Sequence, residues 1–262
     1  MIPSSRMRLT YAGASDVGRK RTHNEDAYLL LPEESLYCVA DGMGGHASGE
    51  VAARIAVEEM AEFFRLTGRD DEATWPYKMD PALGYDQNRL VTAVKLANLR
   101  IFERAATDER LKGMGTTIVA ASFPKGGRAA LVGHVGDSRA YLWRRGALRQ
   151  LTEDHSLLND YKKTRALTPE EIQAFPHKNV IVRALGMRDV VDVDLLEEPL
   201  EDGDVVLLCS DGLSGLVPDA TMAEVIRANV GDLRLAAQVL VDEANAAGGT
   251  DNVTCVLAQA RL

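Results

Sequence analysis

Four short apolar runs in this chain each meet an aspartate among small residues, and no other feature limits the fold as much. Leu36-Tyr-Cys-Val-Ala40 runs into Asp41, followed by three glycines in four residues. Leu131–Gly136 runs into Asp137, Val205–Ser210 runs into Asp211 and Gly212, and Gly248-Gly-Thr-Asp251-Asn252 leads into Val253–Leu257. Asn24-Glu25-Asp26 puts two more acids directly before Ala27–Leu31. Taken one at a time, an Asp-Gly after a strand is a turn. Taken together, carboxylates carried on apolar strands would repel one another by several kcal/mol if they converged, unless cations lay between them. A site of aspartate oxygens, without cysteine or paired histidines, suits Mg²⁺ or Mn²⁺.

Composition narrows the partners. The 262 residues carry a net charge of −9, which repels nucleic acid and anionic membrane surfaces alike. Met1–Arg8 lacks the apolar centre of a signal peptide, and no apolar run approaches the ~18 residues needed to span a bilayer, so a cytoplasmic location is expected. Cys38, Cys209 and Cys255 sit in apolar runs without paired spacing and read as buried small hydrophobes rather than disulfides or zinc ligands.

Strands are expected at Leu9–Ala12, Ala27–Leu31, Leu36–Ala40, Thr116–Phe123, Arg128–Val135, Ala140–Arg144, Val190–Leu195, Asp204–Cys209 and Asn252–Ala258. Lys125-Gly-Gly127 and Arg145-Gly146 read as hairpin turns, so neighbouring strands should be antiparallel. Helices are expected at Glu50–Arg65, Asn88–Ala105 and Asp232–Ala246, with capping boxes at Thr168-Pro-Glu-Glu171 and Thr221-Met-Ala-Glu224. Without a flexible linker, this is one domain over 1–262, of the α+β layered-sandwich class. Thr67–Gln87 reads as a polar surface excursion or a partly disordered segment, and His155–Gly186 as a mobile flap rich in basic residues.

The wording of the motifs goes further. Gly18-Arg-Lys-Arg-Thr-His-Asn-Glu-Asp26, Val39-Ala-Asp-Gly-Met-Gly-Gly-His46, Gly113-Met-Gly-Thr-Thr117, Val135-Gly-Asp-Ser-Arg139, Leu151-Thr-Glu-Asp-His-Ser156, Ala184-Leu-Gly186, Leu208-Cys-Ser-Asp-Gly-Leu213 and Gly249-Thr-Asp-Asn-Val253 occur in this order. In this set the chain resembles the bacterial branch of the type 2C, metal-dependent protein serine/threonine phosphatases. The resemblance implies a four-layer α-β-β-α sandwich, two central antiparallel sheets flanked by helices. It implies that Asp41, Asp211 and Asp251 hold two Mn²⁺ or Mg²⁺ ions with a water or hydroxide between them, that the Gly42 carbonyl completes one shell, and that Glu25 holds metal-bound waters. It further implies a third, weaker ion between Asp137 and Asp211, while Asp26 is as suited to a supporting hydrogen bond as to ligation. The resemblance makes Arg21, four residues before Glu25, the expected phosphate-binding cation.

One departure concerns the residue after Asp41-Gly42. Animal relatives carry a histidine there, a possible general acid, whereas this chain has Met43; His46 is a weak substitute. His155 and Ser156 are expected to fix a loop. Lys162, Lys163 and Arg165 either guide a phosphorylated segment or form a solvated face. The expected activity is hydrolysis of phosphoserine and phosphothreonine in proteins, opposing a serine/threonine kinase, by a monomer. The alternatives are a catalytically silent phosphoprotein-binding module and a hydrolase of small phosphate esters.

Overall fold

The structure, a computed structural model, describes residues 7–44, 48–69, 74–165, 167–173, 175 and 180–262. The chain opens with β1 (Arg8–Asp16), β2 (Asp26–Leu31) and β3 (Leu36–Met43), then helices α1 (Ser48–Arg69) and α2 (Tyr85–Thr107). Strands β4 (Gly115–Thr116), β5 (Ile118–Ser122), β6 (Ala129–Val135), β7 (Arg139–Arg144) and β8 (Ala147–Gln150) follow. Two short helices, α3 (Leu157–Thr164) and α4 (Pro169–Gln173), precede β9 (Asp194–Pro199) and β10 (Val205–Cys209). The chain closes with α5 (Asp211–Ser214), α6 (Asp219–Asn229), α7 (Leu233–Ala246) and β11 (Val253–Arg261).

Two antiparallel sheets form the middle of the molecule, one ordered β1-β11-β10-β7-β8 and the other β2-β3-β5-β6-β9, with β4 paired to the end of β3. Helices α1 and α2 cover the second sheet, and α6 and α7 cover the first. This is the four-layer α-β-β-α sandwich expected. The layering explains why the strands read as unbroken apolar runs. In β3, Leu36, Cys38 and Ala40 face α1 while Tyr37 and Val39 enter the space between the sheets. In β10, Val205, Leu207 and Cys209 face the helices while Val206 and Leu208 point between the sheets. A strand buried on both faces needs apolar residues at both phases of its period of two.

Local chemistry sets the punctuation. Arg145 and Gly146 both adopt positive φ, 53° and 88°, the two-residue turn that joins β7 to β8. Thr168 and Glu171 form the expected reciprocal cap, the Thr168 Oγ1 accepting from Glu171 N at 3.2 Å and the Glu171 carboxylate accepting from Thr168 N at 2.9 Å. The second capping box does not form: α6 begins at Asp219, behind Pro218, so Thr221 lies within its first turn and Glu224 pairs with Arg227 instead.

The strand expected at Val190–Leu195 lies further along, at Asp194–Pro199, because its pairing with β6 runs from His134↔Asp194 to Ala129↔Pro199. Val191 and Val193 still pack on the helix-side core, but outside the ladder. The run Thr116–Phe123 is broken at Thr117, whose N–H turns to the Asp41 carbonyl at 2.9 Å. Strand β8 was absent from the expectation, since only Leu148 of its four residues packs on the core. In the Thr67–Gln87 stretch, α1 continues to Arg69 and α2 starts at Tyr85. Between them Trp75 lies edge-on to Phe63, ring centroids 5.5 Å apart, and Tyr77 donates to the Lys95 carbonyl, so these residues are docked on the helices.

Candidate active site

Strand register alone brings the acids together. Asp26 is the cross-strand partner of Asp41. Cys209 pairs with Cys255 on one side and Arg139 on the other, so the end of β10 that leads into Asp211 lies beside Asp251 and beside the turn carrying Asp137. Thus Asp26 and Asp41 from one sheet face Asp211 and Asp251 from the other, at one end of the sandwich.

Polar residues hold this end in place. The Asn252 side chain accepts from Glu25 N at 2.8 Å and donates to the Val17 and His23 carbonyls at 2.9 Å each, while its backbone N–H donates to Asp251 Oδ1 at 2.8 Å. Ser210 Oγ donates to Asp26 Oδ2 at 2.8 Å and accepts from Thr254 N. Thr116 Oγ1 donates to the Asp41 carbonyl, and Thr117 Oγ1 accepts from Asp41 N and shares a hydrogen bond with Ser138. Two glycines permit the approach of backbone to backbone. A Cβ on Gly212 would lie 1.9 Å from the Asn252 oxygen, and one on Gly42 would lie 2.2 Å from the Gly49 oxygen.

The cluster is electrostatically stressed. Burial, then the neighbouring Asp26, Asp211, Asp137 and Asp251, push Asp41 well above the usual carboxylate range. Burial raises Asp26 to about 7, against hydrogen bonds from Thr254 and Ser210, and the charges of Asp211 and Asp251 add to it. Asp137 is likewise raised to about 7 by burial and then by Asp211 and Asp154. Burial and Asp251 raise Asp211, while a hydrogen bond shared with Asp41 and the charges of Arg21 and Arg139 oppose the shift. Asp26, Asp41 and Asp211 are each half-buried as whole residues, while Asp137 is buried.

Asp26 Oδ1 is buried without a hydrogen-bond partner. An orphaned oxygen, mutual repulsion and an all-oxygen donor set fit hard divalent ions. Among the described residues, the group of three metal-ligating side chains with atoms all within 4.8 Å of one another is His134, His155 and Asp194, so the aspartates are spread more widely.

The histidine group itself is not built for an ion. Its two imidazoles are stacked, centroids 4.6 Å apart and planes 18° apart, so their in-plane lone pairs do not converge. The Arg183 guanidinium already bonds Asp194 and lies 3.2 Å from His155 Nε2. What His155 does is clamp Gly136: its N–H donates to the Gly136 oxygen at 2.9 Å and its Nδ1 accepts from Gly136 N at 3.0 Å, next to Asp137.

The other expected residues are placed as follows. Arg21 Nη2 donates to Asp251 Oδ2 at 2.7 Å from a half-exposed position at the rim. The Glu25 carbonyl accepts from Gly42 N, and its Oε1 lies against Gly49. Met43 ends β3 opposite Gly115. Lys163 pairs with Glu153 at 3.3 Å and Arg165 with Glu171 at 3.1 Å. His46, His177 and Lys178 lie outside the described residues. The sequence reading missed Asn252, Ser210 and Thr117 as supports, although each stands in a quoted motif, the first two beside one of the aspartates. Two surface grooves of about 590 and 540 Å³, along α1 and at the end of α2, contain none of these acids. A polar cavity of about 280 Å³ touches Asp137 and Asp211.

A sandwich of two antiparallel sheets that gathers carboxylates from both at one end defines a class of metal-dependent hydrolase site. Comparison with known proteins makes it particular. The family described as Protein phosphatase 2C matches residues 13–240, and the chain belongs to that family. It is 36% identical over 256 residues to the serine/threonine phosphatase stp of Listeria innocua, covering 95% of this chain and 94% of the relative. The crystal structure of the Mycobacterium tuberculosis serine/threonine phosphatase PstP/Ppp superposes with a TM-score of 0.82 at 36% identity, covering 97% of this chain and 99% of that one. A structure of the PstP catalytic domain in complex with 2 manganese ions gives 0.79 at 35% identity, covering 98% of this chain and 100% of that one.

Proposed function

We propose that this chain is a divalent-metal-dependent protein phosphatase that hydrolyses phosphoserine and phosphothreonine. The observation that carries the reading is the convergence of Asp41, Asp211 and Asp251 from two sheets at one end of the sandwich. Two ions, Mn²⁺ or Mg²⁺, would be held by these three aspartates and the Gly42 carbonyl, with Glu25 ordering water and Asp137 joining Asp211 around a third. Ions so held supply the positive charge that makes water a nucleophile near neutral pH and neutralises the phosphoryl oxygens.

The protein's own groups do the positioning. Arg21 exchanges its Asp251 contact for two phosphoryl oxygens, a geometry its planar fork suits. Asp26 accepts the Ser210 hydroxyl at Oδ2, and its unpartnered Oδ1 is left to hold an ion or its water. Met43 has no proton to give, so the leaving oxygen takes its proton from a group other than the residue after Asp41-Gly42. Among the described residues no helix is long and apolar enough to cross a membrane. The proposal extends to a cytoplasmic monomer, one catalytic domain over 1–262 with a flap at 155–186, acting on phosphoproteins that include a serine/threonine kinase.

The test is phosphate release from a phosphothreonine peptide with Mn²⁺, with Mg²⁺ and with EDTA. Asp211→Asn should lower turnover by at least 100-fold while circular dichroism stays native, as about 3 kcal/mol of lost transition-state stabilisation requires. Turnover by the folded wild type that persists in EDTA, or full activity in Asp211→Asn, would remove the assignment. A folded wild type inactive with every ion would instead favour a silent phosphoprotein-binding module.

A further inference from the structure

Of the three basic flap residues in Lys162-Lys-Thr-Arg165, two are spent on neighbours: Lys163 on Glu153 and Arg165 on Glu171. The Lys162 side chain has no hydrogen-bond or ion-pair partner among the described residues. From α3 it lines the polar cavity that Asp137 and Asp211 also line. Four of the other polar groups of that cavity, Arg139, Asp154, Ser156 and Asn159, are committed to one another. Arg139 makes a two-pronged bond to Asp154, at 2.8 and 2.7 Å, Asn159 Nδ2 donates to the Asp154 carbonyl, and Ser156 Oγ caps α3 by accepting from Asn159 N.

The charges lining the cavity are Asp137, Asp154 and Asp211 against Arg139 and Lys162. Arg139 cancels Asp154, which leaves Lys162 facing the two acids that the proposed function assigns to divalent ions. Once those ions neutralise Asp137 and Asp211, Lys162 is the charge that remains. A small polar space with a net positive charge beside the reacting phosphate accepts an anionic side chain and repels a cationic one.

We propose that the cavity between α3 and Asp211 is a subsite for an acidic or second phosphorylated side chain flanking the phosphoresidue of the substrate, read by Lys162. This rests on the phosphatase reading above. It separates Lys162 from Lys163 and Arg165, which are held by their own carboxylates and take no part in selection.

The test uses two phosphothreonine peptides that differ only in carrying glutamates or glutamines on both sides of the phosphoresidue. The full chain with Mn²⁺ should favour the glutamate peptide about fivefold in kcat/KM, mostly through KM, the scale of one partly exposed ion pair. Lys162→Gln should bring that ratio to about one and Lys162→Glu should invert it, whereas Lys163→Gln should leave it as in the wild type. Dissociation constants for non-hydrolysable phosphonate versions of the same peptides should show the same pattern without turnover. A wild-type ratio near one, or a ratio unchanged by both Lys162 variants, overturns the subsite while the phosphatase reading stands on hydrolysis of the glutamine peptide. Failure of the folded wild type to hydrolyse either peptide, or an aryl phosphate, with any ion overturns both.

Discussion

Asp26 and Asp137 show what a carboxyl costs when its surroundings are built for something else. Both are raised to about 7, from a usual value near 3.8, with burial as the first cause. A carboxyl whose folded pKa lies above its unfolded one binds its proton more tightly when folded, so its contribution to stability is complete below pH ~4 and is lost as pH rises through about 7. In EDTA the protein should therefore lose stability between pH 4.5 and 7.5, by on the order of a few kcal/mol in all, and its melting temperature should fall with it. Divalent ions should reverse this, with the gain in Tm from Mn²⁺ large at pH 7.5 and small at pH 5. Differential scanning calorimetry at four pH values, with and without Mn²⁺, measures it. A Tm in EDTA that is flat across this range would mean that the acids do not repel as their placement requires.

Elements were legible where one run of sequence carries its own reason. The unbroken apolar runs of β3, β10 and β11 announced strands, and the aspartates at their ends announced the candidate site. What escaped was set by partners distant in sequence: β9 takes its register from β6, and Thr117 leaves its strand for Asp41. Arg89 is another such case. It reads as one polar residue of an amphipathic helix, yet it is buried, donating to Thr67 Oγ1, Glu34 and the Phe64 carbonyl with its guanidinium 4.2 Å above the Phe64 ring. It thereby ties α2 to the end of α1 and to the turn before β3. Because Arg89→Ala strands the Glu34 carboxylate in a largely buried place, it should cost about 3–5 kcal/mol and about 10 °C in Tm. Adding Glu34→Gln should restore part of the loss. A single-variant melt within 2 °C of wild type would show the pair to be dispensable.

Across the whole molecule, the site exists because two sheets are locked at one end, and the lock passes through Asn252. The segment from Val17 to Glu25 crosses from β1 in one sheet to β2 in the other, and Asn252, at the start of β11, holds it at Val17, His23 and Glu25. Glu25 in turn holds Gly42 of β3, and Asp251 receives the Asn252 backbone N–H. Neither layer could place Asp41 against Asp251 alone. The sequence carried a hint of this, since Asn252 stands beside Asp251, but its three side-chain partners are more than 220 residues away along the chain and only the fold reveals them. Removing this clamp should loosen the relation between the sheets at the site more than it weakens the cores. Asn252→Ala is thus expected to raise the dissociation constant for Mn²⁺ about 10- to 100-fold, the range for groups that orient metal ligands. Amide exchange should quicken over residues 17–25 and at Gly42 while the central strands β5 and β10 stay protected. Calorimetric Mn²⁺ titration with hydrogen-exchange mass spectrometry separates this from general destabilisation. Unchanged Mn²⁺ affinity alongside faster exchange at 17–25 would mean that the aspartates keep their places without the clamp, each sheet holding its own share of the site.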